Sequence, residues 1–304
     1  MKVFITGATG FVGSRLCKKL LDEGIEVIAL IRGGEISNAL PSGVTPIIGN
    51  PMEDGSWYEA VADCDIAINL AGSPIFTRWS EQSKKLIRES RVFTTRSLAN
   101  ALIRHREGKK TVLISTSATG YYGNTGEDLV DEHTPAGSDF LAKTAQEWES
   151  SAMAAKSAAR VAITRFGVVL GKNGGALKAM LPAFKLNLGS PLGSGRQWFP
   201  WIHIDDLLEI FIFIIKNDKI EGPINCTSPE TVSNRDFSQA LAAALDKSYF
   251  LPPVPEFVLK LALGEVSTVV LQGQRTVPQK LLSNGFRFKY TGIDSALRDI
   301  VSDK

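Results

Sequence analysis

The sequence predicts an α/β fold: a doubly wound parallel sheet with a smaller C-terminal region at one edge of the sheet. Short β-branched, apolar runs alternate with longer helical patterns from the first residues onward. These apolar runs are continuous, which is typical of strands that helices cover on both faces. A glycine-rich turn also joins the first apolar run directly to the first helix, as in Rossmann folds.

The strands and helices are expected to follow one another in βαβ order. Strands are predicted at residues 2–6, 26–31, 45–48, 65–70, 111–115 and 161–165. Helices are predicted at residues 11–23, 57–62, 81–104 and 141–156, where apolar residues recur at helical spacing. A later apolar segment, around residues 223–227, is expected to return to the sheet.

The second half of the chain differs from the first in composition. Glycines cluster at residues 171–175, Gly, Pro and Trp at residues 188–201, and prolines at residues 252–255. We therefore expect a Rossmann domain over residues 1–170, which the chain re-enters at about residues 203–230. Residues 171–202 and 231–304 would form the smaller substrate or lid region.

Composition excludes several classes of protein. The net charge of +2 favours neither nucleic acid nor a membrane surface as a partner. The three cysteines are far apart, so they indicate neither a disulfide framework nor a zinc cluster. The N-terminus runs straight into the first strand without a targeting segment. The apolar stretch at residues 207–215 is too short to span a bilayer, and we expect a soluble, cytoplasmic protein.

The glycine-rich turn predicts a nucleotide site. Gly7 permits a tight turn, Gly10 lets the backbone approach a pyrophosphate, and Gly13 allows close packing of helix and strand. The free N–H groups and the dipole of the following helix would then face the phosphates. A glycine turn that binds no ligand is the alternative.

The residue after the second strand indicates which cofactor binds. Arg32 lies 19 positions after Gly13, where an acidic residue would bind the ribose 2′-hydroxyl of NAD. A guanidinium pairs instead with a 2′-phosphate, which favours NADP (NADPH). A solvated surface arginine is the alternative. The small residues after the fourth strand would let a loop pass close to the ribose and phosphates. The residues predicted to contact the cofactor on these grounds are Gly7, Thr9, Gly10, Phe11, Val12, Gly13, Arg32, Asn69, Leu70, Ala71 and Gly72.

The combined motifs resemble those of a known family. The turn at residues 7–13, residues 69–72, the strand end at residues 115–119 and residues 201–206 resemble the extended short-chain dehydrogenase/reductases. These are the NAD(P)-dependent epimerase/dehydratase enzymes, which act on nucleotide sugars and related alcohols. Residues 117–123, 139–142 and 273–278 are most similar to a branch labelled epimerase family protein, which has its own small C-terminal domain. The resemblance covers essentially the whole chain and adds Ser115, Lys143, Phe166, Gly167 and Val168 to the expected cofactor contacts.

The resemblance fails at one catalytic position. In active relatives a Ser acts with a Tyr and a Lys that are spaced Y-x-x-x-K on one helix face. Ser117 and Lys143 match the serine and the lysine, but Asp139 stands where the tyrosine is expected, and none of the five tyrosines has a lysine four residues later. A carboxyl group, with a reference pKa of about 4 against about 10 for a phenol, is a poor acid at neutral pH.

Several roles remain open for these residues. Asp139 could act as a base, or it could cap the helix that begins at Phe140. Tyr121 or Tyr122 could supply a phenol from another direction, or each could pack as an aromatic at the edge of the sheet. Lys143 could bind the nicotinamide ribose or be solvated. The candidate catalytic residues are Ser117, Tyr121, Tyr122, Lys143 and Asp139.

Two further groups of residues are candidate sites. His203 and Asp205 are interpreted as a hydrogen-bonded corner, with substrate contact as the alternative. No metal site is expected, because no second histidine or cysteine lies at ligand spacing. The other group combines tryptophans and arginines of the loops, which could form an aromatic, anion-binding pocket: Trp79, Trp198, Trp201, Arg78, Arg196 and Arg275.

The functional hypothesis is hydride transfer at a secondary alcohol or ketone, with NADP(H) as cofactor and an altered acid–base group. The substrate is a small molecule of unknown identity, and a nucleotide sugar is one candidate. The alternative is a protein that senses NADP(H) and signals through a partner without turnover. By analogy with the family, the helix at residues 81–104 could pair with its copy in a homodimer.

Overall fold

The computed structural model describes residues 1–33, 40–104 and 111–302. Seven parallel strands form one sheet in the order β11-β7-β5-β4-β1-β2-β3, and three two-stranded pairs, β8–β10, β9–β12 and β6–β13, lie outside it. In chain order the strands are β1 (Lys2–Thr6), β2 (Glu26–Ile31), β3 (Thr45–Ile48), β4 (Ile66–Asn69), β5 (Thr111–Ala118), β6 (Leu129–Val130), β7 (Ala159–Phe166), β8 (Val168–Leu170), β9 (Trp198–Phe199), β10 (Trp201–His203), β11 (Gly222–Cys226), β12 (Val232–Ser233) and β13 (Arg275–Thr276).

Helices cover both faces of the sheet, and two hydrophobic clusters lie between the helices and the strands. A third cluster joins the C-terminal helices to β10 and α5. The α-helices are α1 (Phe11–Asp22), α2 (Trp57–Ala62), α3 (Glu81–Arg104), α4 (Phe140–Met153), α5 (Gly175–Lys185), α6 (Ile204–Lys216), α7 (Asn234–Ala244), α8 (Glu256–Leu263), α9 (Ser267–Leu271), α10 (Gln279–Ser283) and α11 (Ile293–Val301).

The strand order reverses between β1 and β4, so the doubly wound parallel sheet predicted from the sequence is confirmed. In such sheets ligands bind outside the carboxyl ends of the strands, at the point where the order reverses. The glycine turn follows β1, residues 70–72 follow β4, and the 3₁₀ helix Thr119–Tyr122 follows β5. The predicted site residues therefore meet at one edge of the sheet.

The helices and strands differ from the prediction mainly at their ends. α4 begins at Phe140, and the end of the predicted helix is a 3₁₀ turn at Ala154–Ser157. β5 and β7 run beyond residues 115 and 165, to Ala118 and Phe166, because they pair with each other along eight residues. β11 lies beside β7, in the segment where the sequence predicts a return to the sheet.

The C-terminal region packs onto the loops that follow β5. β13 pairs in parallel with β6, and the Gln274 side chain donates a hydrogen bond to the Gly123 carbonyl at 2.7 Å. The buried Asp206 carboxylate on α6 accepts the backbone N–H groups of Lys289 and Tyr290 at 2.7 and 2.9 Å. These contacts bring the C-terminal region against the edge where the site residues meet.

The described helices include none that combines the length and the apolar composition needed to cross a membrane. α6, which contains the apolar stretch noted in the sequence, is 13 residues long and carries three carboxylates.

Candidate active site

Sterics require glycine at two positions of the turn after β1. Gly7 has a φ of +75°, and a Cβ there would lie 2.7 Å from the carbonyl carbon of Leu70. A Cβ on Gly13 would overlap the carbonyl oxygen of Gly7, so the first turn of α1 packs directly on the end of β1. Gly10 is exposed, and a Cβ there would meet only the Gly7 oxygen, at 3.3 Å. The surface above Gly10 is therefore open to a ligand.

The N-terminus of α1 is suited to an anion. Gly10 is its N-cap, no side chain caps it, and its first turn contains no acidic residue. The first N–H groups of a helix lack partners within the helix, and the dipole there favours negative charge. A phosphate at this position would accept hydrogen bonds from these N–H groups and interact favourably with the dipole.

Arg32 follows the last residue of β2, beside β1, and its side chain is exposed. The ion pairs of the described residues do not include Arg32. Arg32 therefore lies at the same edge of the sheet as the glycine turn.

The turn after β4 touches the glycine turn, but the side chain of Asn69 serves the fold. Asn69 is fully buried, accepts a hydrogen bond from the Thr6 hydroxyl at 2.7 Å and donates one to the Thr95 hydroxyl at 2.7 Å. Any contact of Asn69 with the cofactor would therefore use its backbone, and that contact stays a prediction. The backbone of Leu70 and Ala71 lies against Gly7 and remains beside the proposed phosphate position.

A cation that the sequence interpretation missed lies behind this turn. The partly buried Arg91 on α3 would contact a Cβ on Gly72 at 3.3 Å, and its guanidinium lies 5.4 Å from the ring centre of Trp148. It donates one hydrogen bond, to the Ile87 carbonyl at 2.9 Å, and no described carboxylate pairs with it. Burial lowers the pKa of Arg91 to about 10. No spacing signal marks this residue, because its neighbours at the site are distant in sequence.

Ser117 faces a buried ion pair. Its hydroxyl donates to Glu149 Oε1 at 2.7 Å, and Arg165 binds both oxygens of Glu149 at 2.8 Å. Ser117, Arg165 and Asn225 are cross-strand neighbours on β5, β7 and β11, so their side chains share one face of the sheet. Ser117 is 1% exposed, and its hydroxyl is bonded to Glu149, so its catalytic role stays a prediction.

Tyr122 belongs to the same network. Its hydroxyl donates to Asn225 Oδ1 at 2.7 Å and accepts from Arg165 at 2.9 Å. The side chain is buried, and burial raises the pKa of Tyr122 to about 12. This enclosure favours the packed-aromatic alternative for Tyr122, and its role as a proton donor stays a prediction.

Tyr121 differs from Tyr122 in both exposure and bonding. It is half-buried, and its hydroxyl makes no hydrogen bond to the described part of the chain. Its ring lies against the Arg165 guanidinium, with 3.6 Å between the central carbon of the guanidinium and the ring centre. Of the two candidate phenols, Tyr121 alone has a hydroxyl that is available to a substrate.

Asp139 caps α4. Its carboxylate accepts the backbone N–H of Ala142 at 2.9 Å, which confirms the capping interpretation. Lys143 lies one turn further along α4 and is exposed. The position of the missing tyrosine is therefore occupied by a helix cap, while the lysine remains free to contact a ligand.

The remaining expected cofactor contacts are placed as follows. Ser115 is buried, and its hydroxyl has no hydrogen-bond partner among the described residues. The N–H of Gly167 donates to the Cys226 carbonyl, and the N–H of Val168 donates to the Pro200 carbonyl. Those two backbone donors are used within the protein, so any contact with a cofactor there would use other atoms of the segment.

His203 forms the predicted corner. It is buried, and its Nδ1 accepts the backbone N–H of Asp205 at the start of α6. Nε2 lies 3.5 Å from a carboxylate oxygen of Asp299, and the ring packs on Tyr290. Ligand atoms of His203, Asp205 and Asp299 lie within 4.8 Å of one another, and the expectation that no metal binds stays a prediction.

The three tryptophans of the predicted aromatic pocket lie in separate surroundings. Trp201 is buried in the third cluster, and Trp79 packs edge-on against Phe140. Trp198 lies 4.6 Å from the Arg275 guanidinium and donates to Glu127. The prediction that they form one pocket is not supported by these contacts.

The sequence is similar to a known family of proteins over most of its length. The model of the NAD dependent epimerase/dehydratase family matches residues 3–226, and a domain of unknown function, DUF1731, matches residues 254–300. An Arabidopsis thaliana protein named epimerase family protein SDR39U1 homolog, chloroplastic, is 42% identical over 99% of this chain and 87% of its own length. Epimerase family protein YfhF of Bacillus subtilis is 35% identical over 100% of this chain and 99% of its own length.

A solved structure matches the whole chain. The crystal structure of human epimerase family protein SDR39U1 (isoform 2) with NADPH is similar, with a TM-score of 0.88 and 31% identity over 100% of both chains.

Proposed function

Because the chain belongs to the NAD dependent epimerase/dehydratase family, we propose that it binds NADPH and catalyses hydride transfer at a secondary alcohol or ketone. The observation that carries this proposal is the uncapped N-terminus of α1 above the open surface at Gly10. The human relative of the same fold and length was crystallised with NADPH, which supports the choice of cofactor.

Two arginines would bind different phosphate groups of the cofactor. Arg32, exposed at the end of β2, is placed to pair with the 2′-phosphate that separates NADPH from NADH. Arg91, on α3, lies against Gly72 of the turn that touches Gly7. Its charge would neutralise the pyrophosphate that both cofactors share. An unpaired, partly buried cation is costly, and a bound anion removes that cost.

The catalytic roles follow from which side chains are free. Bound NADPH would supply the hydride to the carbonyl carbon. Tyr121 would donate its hydroxyl proton to the carbonyl oxygen and regain a proton from water, because its hydroxyl has no partner in the described chain. Lys143, exposed on the first turns of α4, would bind the nicotinamide ribose. Ser117 and Tyr122 would hold the site from beneath through Glu149 and Arg165.

The test of catalysis is NADPH consumption with a panel of activated ketones and diketones. We expect Tyr121→Phe to lower kcat by about 10² to 10⁴-fold, the usual contribution of a general acid. The matched variant Tyr122→Phe removes a buried hydroxyl with two hydrogen bonds, so it should lower the Tm. Its kcat should fall much less than that of Tyr121→Phe. If Tyr121→Phe retains full activity and Asp139→Asn abolishes it, the proton donor is the aspartate and our assignment is wrong.

One observation favours a second candidate function. Asp139 caps α4 where active relatives would have their tyrosine, so the usual acid–base pair is missing. A protein that binds NADPH and signals through a partner without turnover would not need that pair. Tight NADPH binding by the parent protein, with no consumption across the ketone panel, would favour this function over the enzyme.

A further inference from the structure

Arg165 is the centre of a buried network beneath the proposed proton donor. We propose that Arg165, held by Glu149, is a positioning residue for Tyr121 and supplies the fixed cation that the missing Y-x-x-x-K pair would otherwise provide. This inference rests on the proposed role of Tyr121. It assigns a function to two residues that no sequence motif connects, Glu149 on α4 and Arg165 on β7.

The contacts fix the guanidinium in one orientation. Arg165 Nε and one terminal nitrogen each lie 2.8 Å from an oxygen of Glu149, and the other terminal nitrogen lies 2.9 Å from the Tyr122 hydroxyl. Arg165 is 2% exposed and Glu149 is 7% exposed. All three nitrogens are thus engaged, and the Tyr121 ring centre lies 3.6 Å from the guanidinium carbon. A planar group held in this way is a rigid platform for the ring.

Stability alone is a weak reason for a buried ion pair at this position. A buried ion pair seldom stabilises a protein more than well-packed apolar residues of the same size, because both charges lose their hydration. Burial alone would lower the pKa of Arg165, yet the hydrogen bonds and charge of Glu149 raise it above its usual value, so the guanidinium stays charged. A permanent charge beneath Tyr121 is therefore built into the sheet.

This charge suits the chemistry proposed for Tyr121. When the phenol gives its proton to a carbonyl oxygen, negative charge develops on the tyrosine oxygen and ring. A cation already fixed against the ring stabilises that charge without reorganisation. The C-terminal region also contacts this network, because the Asn225 amide accepts from Tyr122 and donates to the Val277 carbonyl at 3.0 Å. The Tyr122 ring in turn packs edge-on against the Tyr121 ring, with 5.4 Å between the ring centres.

The experiment removes both charges together. Arg165→Met alone would strand the buried Glu149 and destabilise the fold, so the decisive variant is Arg165→Met with Glu149→Gln, which keeps an acceptor for Ser117. We expect its Tm to be closer to that of the parent than the Tm of Arg165→Met, its NADPH affinity to be unchanged, and its kcat to fall at least tenfold with a shifted pH profile. Arg165→Lys keeps the charge but loses the planar fork, so its kcat should lie between those of the parent and the double variant.

The matched control is the exposed ion pair between Arg88 on α3 and Glu147, which, like Glu149, lies on α4. Arg88→Met with Glu147→Gln should leave kcat and its pH profile unchanged. If the Arg165–Glu149 double variant keeps kcat within about twofold of the parent, the network is only structural and the inference is wrong.

A second readout does not depend on turnover, so it separates this inference from the proposed function. In protein labelled with 3-fluorotyrosine, Tyr121→Phe identifies the ¹⁹F signal of Tyr121. We expect that signal to move towards the position of a solvated tyrosine in the Arg165–Glu149 double variant and to stay unchanged in the Arg88–Glu147 control. An unmoved signal would show that Arg165 does not position the ring, whether or not the parent protein turns over a ketone.

Discussion

At the scale of single residues, the site is defined by which polar groups have partners. Ser117 and Tyr122 carry functional groups that suit catalysis, but both hydroxyls are engaged with the Glu149–Arg165 pair. Among the described residues, Tyr121, Arg32 and Lys143 have no such partner, and each follows or lies near the end of a sheet strand in the chain or the fold. Hydrogen bonding and exposure, rather than residue type, therefore separate the groups that could act on a ligand from those that support them.

Arg91 gives a prediction in which stability and binding change in opposite directions. Arg91→Met removes a partly buried cation that has no described carboxylate partner, so the unliganded protein should melt at the same temperature or higher. The variant should lose about tenfold or more in affinity for NADPH and NADH alike, because both share the pyrophosphate. Thermal melts and fluorescence titrations measure the two effects. A lower Tm combined with unchanged affinities would show that Arg91 serves the fold.

At the scale of elements, the turn between β1 and α1 separates folding from binding at two neighbouring glycines. Gly13→Ala places a Cβ on the Gly7 carbonyl oxygen, so it should destabilise the protein strongly, as judged by its Tm. Gly10→Val meets only one atom of the protein and should fold, yet its side chain would stand where a pyrophosphate must lie. NADPH titration of folded Gly10→Val protein checks this. Undiminished binding there would place the nucleotide elsewhere.

The sequence predicted the larger elements because their signals are local. The apolar runs of β1 and β2 and the helical spacing of α1 can be read from adjacent residues alone. The Asp139 cap can likewise be read from the residues around Phe140. The pairs β6–β13 and β9–β12 are two residues long on each strand, and each depends on a partner far along the chain. Such pairs have no local signal to predict them.

The residues of the site were predictable where they lie close together in the sequence. The glycine turn and Arg32 follow from spacing within one βαβ unit, and the structure places both at the same edge of the sheet. Arg91 meets Gly72 across 19 positions, and Glu149 connects Ser117 and Arg165 only after β5, α4 and β7 have packed. The hydrogen bond from Ser117 to Glu149 was not predictable, because the groups that a strand residue faces depend on that packing.

At the scale of the whole molecule, the C-terminal region is attached to α6 through buried polar groups. His203 lies beside Asp205, Asp299, Lys289 and Tyr290, so the groups that hold the two regions together can titrate. Desolvation lowers the pKa of His203 below 6.5, and the folded protein keeps the ring neutral. This attachment should therefore depend on pH.

The sign of that dependence follows from proton binding. Below the pKa of an unfolded histidine, about 6.5, the unfolded chain takes up a proton that folded His203 resists, so stability falls as the pH is lowered through that range. We expect the Tm to drop between about pH 7.5 and pH 5.5. His203→Asn, which keeps an acceptor for the helix cap, should show a smaller drop. Equal drops in both proteins would show that another group is responsible.

The central claim, that this edge of the sheet binds NADPH, is tested most directly by titrating the parent protein and Arg32→Ala with NADPH and NADH and following nicotinamide fluorescence. We predict that the parent prefers NADPH and that Arg32→Ala loses about ten- to a hundredfold in affinity for NADPH while its affinity for NADH hardly changes. Arg287→Ala, another arginine exposed on a loop, is the control and should change neither. Equal affinities of the parent for the two cofactors, or an unaltered preference in Arg32→Ala, would contradict the account.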